Sequence, residues 1–235
     1  MTRRTCLVVR PEPGCGATLG RVNALPGWRG AGVPLTERLA TNAPMPDEAF
    51  DAVVVTSAAA ASLLHALQRD VPMHAIGRAT AMALKEAGFP NVTVGADGTA
   101  ARDGGALGRA LARSGRYRTV LYPCTRDRRP DLERDARDGG LRIVPWPIYA
   151  TVAVPDGTAR LRAALDSAPD AVLLHAPSGA AALGASWPVD WARGRTLALC
   201  LSDAIAAAVP RGFAAAARVA ERPEDAALID LLARE

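Results

Sequence analysis

Four strand-to-helix junctions carry the groups of this chain best suited to chemistry. In "FDAVVVTSAAAASLLHAL" (50–67) a β-branched run stops on Thr56 and Ser57 and passes straight into Ala-rich sequence. "AIGRATAMAL" (75–84) repeats the outline with Gly77 and Thr80, "HAPSGA" (175–180) with Ser178, and "LCLSDAIAAA" (199–208) with Ser202. Strand ends in open α/β sheets are where ligands bind. A hydroxyl there serves as a helix cap or as a ligand contact, and the N–H groups of the following helix favour an anion. Both readings stand for Ser57 and Thr80. Gly77 lets the backbone approach a ligand closely. Arg10, directly after the first apolar run, and Arg129, in "TRDRRP", have the planar fork that matches a carboxylate. Together these groups describe a grip on an acidic small molecule, with no strong acid–base or metal-binding constellation. His65, His74 and His175 lack ligand spacing and read as core or edge histidines.

Composition agrees with that class. The 235 residues suffice for one large domain or two small ones. Hydrophobic residues make up 49% and aromatic residues only 4%, so the core packs small aliphatic side chains. The net charge is +4, from 28 Lys and Arg against 24 Asp and Glu, and the arginines are scattered among acids. A nucleic-acid binder concentrates basic residues on one face, so no nucleic-acid partner is expected; a mild surplus suits an anionic metabolite. Cys6, Cys15, Cys124 and Cys200 form no C-x-x-C pair and read as reduced thiols. The opening "MTRRTCLVVRPEPG" has too short an apolar run for a signal peptide, and no segment is long enough for a membrane span. We expect a cytoplasmic protein without a membrane partner. The few aromatics give no sign of an obligate interface, and we expect a monomer.

The elements that position the junctions are short apolar runs followed by helical stretches. Strands are expected at 6–10, 52–56, 73–77, 92–95, 119–123, 141–154, 171–175, 196–201 and 217–221, with helices between them, including one over 57–69. Continuously apolar strands are covered on both faces, which implies parallel sheets with crossover helices. An internal repeat sets the architecture. "DAVVVTS" (51–57) is echoed by "DAVLLHA" (170–176), and the strand–helix–strand sequence that follows each is also echoed. Two copies of such a half-domain imply two lobes. Either the lobes follow in chain order, or the chain starts in one, builds the other over about 36–148, and returns. In the second layout "GVPL" (32–35) and "VPWPIYATV" (144–152) are paired crossover strands. The second layout is favoured, because the second copy otherwise lacks a leading strand.

An ordered set of stretches resembles the uroporphyrinogen-III synthases, the family that closes the tetrapyrrole ring. They are "VVRPEPG", "FDAVVVTSAAA", "AIGRATAMALKEAGF", "LYPCTRDRRPDL", "PIYATVA", "APSGAAAL" and "VAERPEDAALIDLL", and they span essentially the whole chain. The resemblance implies two similar parallel-sheet α/β lobes joined by a two-stranded β-ladder, with an active-site cleft between them. The lobes would be 1–35 with 150–235, and 36–149. It implies a lyase without metal or cofactor that takes hydroxymethylbilane to uroporphyrinogen III, with loss of water and inversion of ring D. It places Thr56, Ser57, Gly77 and Thr80 against the substrate, with Ser178 and Ser202 opposite and Arg10 and Arg129 near its carboxylates. Tyr149 matches the family's cleft tyrosine on the crossover strand and is the expected catalytic group, its phenol hydrogen-bonding the departing hydroxyl. The sequence departs from the family's pattern at Ala176, where a hydroxyl is usual, and at Leu201-Ser202-Asp203, where Gly and paired threonines are usual.

Two other classes compete. Gly14, Gly16 and Gly20 after the first strand suggest a dinucleotide fingerprint and an NAD(P)-binding oxidoreductase. The fit is poor, since two prolines intrude and no acid closes a second strand. A non-catalytic two-lobed binder of an anionic small molecule would share the repeat.

Overall fold

The computed structural model describes residues 3–186, 196–213, 216–222 and 224–235. The strands are β1 (Arg4–Val8), β2 (Trp28–Gly32), β3 (Thr36–Ala40), β4 (Ala52–Val55), β5 (Met73–Ala75), β6 (Val92–Val94), β7 (Thr119–Thr125), β8 (Arg142–Ala153), β9 (Ala171–Leu174), β10 (Leu197–Cys200) and β11 (Ala216–Val219). The helices are α1 (Gly14–Ala24), α2 (Arg78–Glu86), α3 (Gly104–Ser114), α4 (Asp131–Arg137), α5 (Gly157–Leu165), α6 (Pro177–Ser186), α7 (Asp203–Ala207) and α8 (Asp225–Ala233). Contacts divide the chain into two compact units, Met1–Arg38 with Val152–Glu235, and Leu39–Thr151.

The first unit holds a parallel sheet in the order β11-β10-β9-β1-β2. Its central strands β9 (AVLL) and β10 (LALC) are apolar at every position because both faces are covered. Val172 and Leu174 of β9 enter one core with Leu161, Leu183 and Phe213, while Ala171 and Leu173 enter another with Val22, Leu228 and Leu232. The second unit is built alike. Its sheet runs β3-β8-β7-β4-β5-β6, and Val53 and Val55 face one core while Ala52 and Val54 face the other. All four β4 side chains are fully buried, and each of the three valines contributes about 1.5–3 kcal/mol of hydrophobic stabilisation.

The internal repeat becomes a permutation of one topology. Ala171 pairs with both Cys6 and Leu197, as Ala52 pairs with Val120 in the other sheet, so β9, β10, β11, β1 and β2 take the places of β4, β5, β6, β7 and β8. In the second unit α3 leads directly into β7. In the first, Arg4 Nη1 at the start of β1 donates to the Glu235 carbonyl, just past α8, at 2.5 Å.

Three expectations are corrected. The helix over 57–69 is a 3₁₀ turn, Ala58–Leu63, followed by irregular chain. Ala propensity favours an α-helix there, but Ala60, Leu64 and Leu67 each donate to the carbonyl three residues back, the hydrogen-bond spacing of a 3₁₀ turn. "GVPL" is not a strand of its own. It joins β2, paired in parallel with β1, to β3, which borders β8. Neither β2 (WRGAG) nor β3 (TERLA) has the branched apolar pattern of a buried strand, because both lie at sheet edges. Finally, Gly14, Gly16 and Gly20 lie inside α1 rather than in a phosphate-cradling loop. A Cβ on Gly14 would meet the Arg10 guanidinium at 2.5–2.7 Å, so this glycine makes room for an arginine.

Candidate active site

The parallel strands direct their C-terminal ends to one edge of each sheet, and the candidate residues lie on those edges. In the second unit Thr56 follows β4, Gly77 follows β5, and Thr125 ends β7 opposite Tyr149 of β8. In the first unit Arg10 follows β1, His175 follows β9, and Ser202 follows β10.

On the second unit's edge, Ser57 is a cap, its Oγ accepting from Ala59 N at 3.3 Å. Thr56 Oγ1 lies 2.9 Å from the hydroxyl of Tyr122 on the neighbouring strand. Gly77 caps α2 in extended geometry (φ −156°), with open space where a Cβ would stand. Its contribution is a bare backbone at the helix N-terminus. Thr80, in the first turn of that helix, is buried and its hydroxyl has no hydrogen bond among the described residues. Tyr149 is 7% exposed, packs with Trp146 and Ile148, and its hydroxyl likewise has none, while its carbonyl accepts from Arg126 N at 2.8 Å. A register shift between Cys124 and Thr125 re-aims the strand beside Tyr149. Arg129 is exposed and pairs with Asp131 at 3.0 Å, at the first turn of α4. Arg128 is held more tightly, its Nε donating to Glu133 Oε1 at 2.6 Å. Thr125 Oγ1 and Glu133 Oε2 are buried without a hydrogen bond among the described residues. Burial pushes the Tyr122 phenol up to about 12 against the opposing Thr56 hydrogen bond.

The first unit's edge is organised by Asp225, the first residue of α8. Its Oδ1 accepts from His175 Nε2 at 2.7 Å, Thr18 Oγ1 at 2.9 Å and Arg10 Nη1 at 3.2 Å, and its Oδ2 from Arg21 at 2.7 Å. Arg10 is therefore tied to an internal carboxylate as well as placed at the strand end. Ser178, at the start of α6, is exposed, and Ser202 caps α7 through its backbone alone. A cavity of about 440 Å³ between the 3₁₀ turn and α2 is lined by Ala58, Ser62, His65, Arg69 and Glu86, none of them a strand-end group.

Sequence reading missed Tyr122, Thr125, Asp225 and the role of His175. The signal for His175 was present, because the repeat matches it to Thr56. Asp225 carried no local signal, since an acid in the first turn of a helix reads as a response to the helix dipole.

This network sets a pH dependence. Burial raises Asp225, but hydrogen bonds from His175 and Thr18 and the charge of Arg10 outweigh it and bring it down to about 2. Burial lowers His175, against the opposing bond to Asp225. Asp225 is thus ionised and His175 neutral near pH 7. Both lowered groups bind fewer protons folded than unfolded, so stability is full above 6.5 and falls with falling pH. The Asp225 part, about 2 kcal/mol, is lost as pH falls from 3.8 to about 2. We expect unfolding free energy by denaturant titration to decrease from pH 7 to pH 5, and His175→Gln to remove part of that decrease, the rest coming from His74, whose burial lowers it in the same way. An unchanged slope in the variant contradicts the assignment.

Comparison with known proteins bears on the identity. No curated protein matches the sequence. A uroporphyrinogen-III synthetase from Helicobacter pylori is 16% identical, with a TM-score of 0.64 over 97% of this chain and 98% of its own. A mutant uroporphyrinogen III synthase from Thermus thermophilus is 19% identical, with a TM-score of 0.57 over 99% of this chain and 100% of its own. At those identities the likeness establishes the fold. The family model described as uroporphyrinogen-III synthase HemD matches residues 31–230, which takes in the end of β2 through most of α8 and every strand-end candidate except Arg10. With two permuted parallel α/β units, and with that match over most of its length, this chain belongs to the uroporphyrinogen-III synthase family.

Proposed function

We propose that the strand-end groups of both units hold hydroxymethylbilane while it is closed to uroporphyrinogen III. The observation that supports this most is positional. Thr56, Gly77 and Tyr149 on one sheet, and Arg10 and Ser202 on the other, all occupy C-terminal strand edges. The chemistry needs position more than power. Loss of the hydroxymethyl oxygen is easy, and the released cation cyclises unaided to the type I isomer. The enzyme must hold a flexible polycarboxylate folded with ring D turned over, and such restraint supplies most of the advantage. The α2 N-terminus at Gly77, with Thr56, Ser57 and Thr80, offers neutral donors to carboxylates. Ser178, Ser202, Arg10 and Arg129 offer further donors, Arg10 through the guanidinium nitrogens that Asp225 does not engage. The Tyr149 phenol hydrogen-bonds the departing hydroxyl, so that C–O cleavage releases water. No step calls for a metal or cofactor.

The lobes in this reading are 1–35 with 150–235 and 36–149. Support comes from the chain crossing between compact units within β3 and β8, which are sheet neighbours. Thr41 N donates to Ile148 O and Val154 N to Leu35 O, as an antiparallel ladder requires. The protein works as a monomer in the cytoplasm, a reducing compartment that suits four buried, unpaired thiols. Among the described residues no helix is long and apolar enough to cross a membrane.

Isomer-resolved turnover tests the function, and a double variant tests the hydroxyl rim. Ser57→Ala with Thr80→Ala should raise KM for hydroxymethylbilane about tenfold, the worth of two modest hydrogen bonds, and increase the share of type I product. If KM and the isomer ratio both stay put, these hydroxyls do not touch substrate.

A further inference from the structure

Thr56 is one of two hydroxyls in a short chain rather than a lone group at a strand end. Tyr122 stands on β7, the strand that pairs with β4, and its hydroxyl lies 2.9 Å from Thr56 Oγ1, a normal O–H···O distance. Tyr122 is 6% exposed, with its ring among Leu107, Leu111 and Leu132 on the α3 and α4 side of the sheet. The ring therefore fixes where the oxygen can be. Among the described residues Thr56 is the sole hydrogen-bond partner of that phenol.

The direction of the bond follows from acidity. A phenol is a stronger acid than an aliphatic alcohol, so it is the better donor of the pair. Its pKa, pushed up to about 12 by burial, keeps it protonated across the working range of an enzyme. With Tyr122 donating, the Thr56 oxygen is occupied as acceptor and its own O–H is free to point onward. A donor whose oxygen already accepts a hydrogen bond is polarised and donates more strongly.

We propose that Tyr122 is a positioning residue: its phenol donates to Thr56 Oγ1 and aims the Thr56 hydroxyl as a donor at a carboxylate oxygen of the bound bilane. The inference rests on the reading that the chain binds hydroxymethylbilane along its strand ends, and it deepens that reading by one residue. No proton is transferred, because loss of the Tyr122 proton inside the core is disfavoured; the contribution is orientation alone. Tyr122 differs in this from Tyr149, whose hydroxyl has no hydrogen-bond partner among the described residues and is assigned to the departing oxygen.

A double-mutant cycle in substrate binding separates this role from simple packing. Tyr122→Phe removes one oxygen and keeps the ring, so the core is retained, and a thermal midpoint within a few degrees of the parent checks it. We expect Tyr122→Phe to raise KM about fivefold, the worth of one hydrogen bond, with kcat within about twofold and a larger share of type I product. Thr56→Ala should do the same. The double variant should be no worse than Thr56→Ala alone, since Tyr122 acts through Thr56, and Thr56→Ser should restore near-parental KM. An unchanged KM in Tyr122→Phe overturns the assignment, and so do effects that multiply in the double variant. A parental protein that yields only type I product overturns the underlying reading along with it.

Discussion

Asp225→Ala is expected to be the most destabilising single substitution among the strand-end residues. It removes the one carboxylate that accepts from His175, Thr18, Arg10 and Arg21. Thr18 is fully buried and the His175 side chain is 6% exposed, so neither donor can turn to water. Arg10 is 28% exposed and would keep a charge without its partner. Breaking a pair of this kind costs about 3 kcal/mol, reduced somewhat here because Arg21 is half exposed. For a unit of this size we expect the thermal midpoint to fall by roughly 10 °C, read by circular dichroism. Asp225→Asn keeps one acceptor oxygen and should fall between parent and Ala variant. A drop under about 2 °C for the Ala variant would mean that α8 is held to the sheet by its apolar face alone.

Tyr149→Phe is the substitution with the largest expected effect on chemistry. The side chain packs with Trp146 and Ile148 in a core that the variant leaves filled, so folding is preserved. Its hydroxyl has no hydrogen-bond partner among the described residues, so removing it leaves no orphaned group behind. A full general acid contributes roughly 10²–10⁴-fold. Departure of this hydroxyl is intrinsically facile, and we expect a smaller loss, about tenfold in single-turnover formation of the type III isomer. KM should move little, because the phenol serves the transition state. Unchanged single-turnover kinetics would make Tyr149 a scaffold residue.

What the sequence revealed and what it hid divide along a physical line. Fully buried parallel strands announce themselves: "AVVV" and "AVLL" are apolar throughout because both faces are covered. The residues that follow them, Thr56-Ser57 and His175-Ala176, therefore lie on the sheet edge. Edge strands do not announce themselves. "WRGAG" and "TERLA" need bury only part of their surface, and both were missed as strands. The Ala-rich segment after Ser57 misled in the other direction, because propensity is a weak prior and the chain there closes three-residue turns instead. The Asp225 network was invisible for a different reason. Its bonds span 50 to 215 residues, and no local pattern encodes partners so far apart. Tyr122 was hidden inside a strand, where an aromatic reads as core. Its ring is core, and only the oxygen at its tip reaches the strand edge.

In the proposed function, hydroxyl, backbone and arginine donors on two parallel-sheet edges hold a linear tetrapyrrole so that its last ring closes inverted. Incubation with freshly prepared hydroxymethylbilane, followed by chromatographic separation of the oxidised porphyrin isomers, tests it directly. Predominantly type III product is expected, formed faster than the spontaneous background and without added metal or nucleotide. Type I product alone, at the uncatalysed rate, would contradict it.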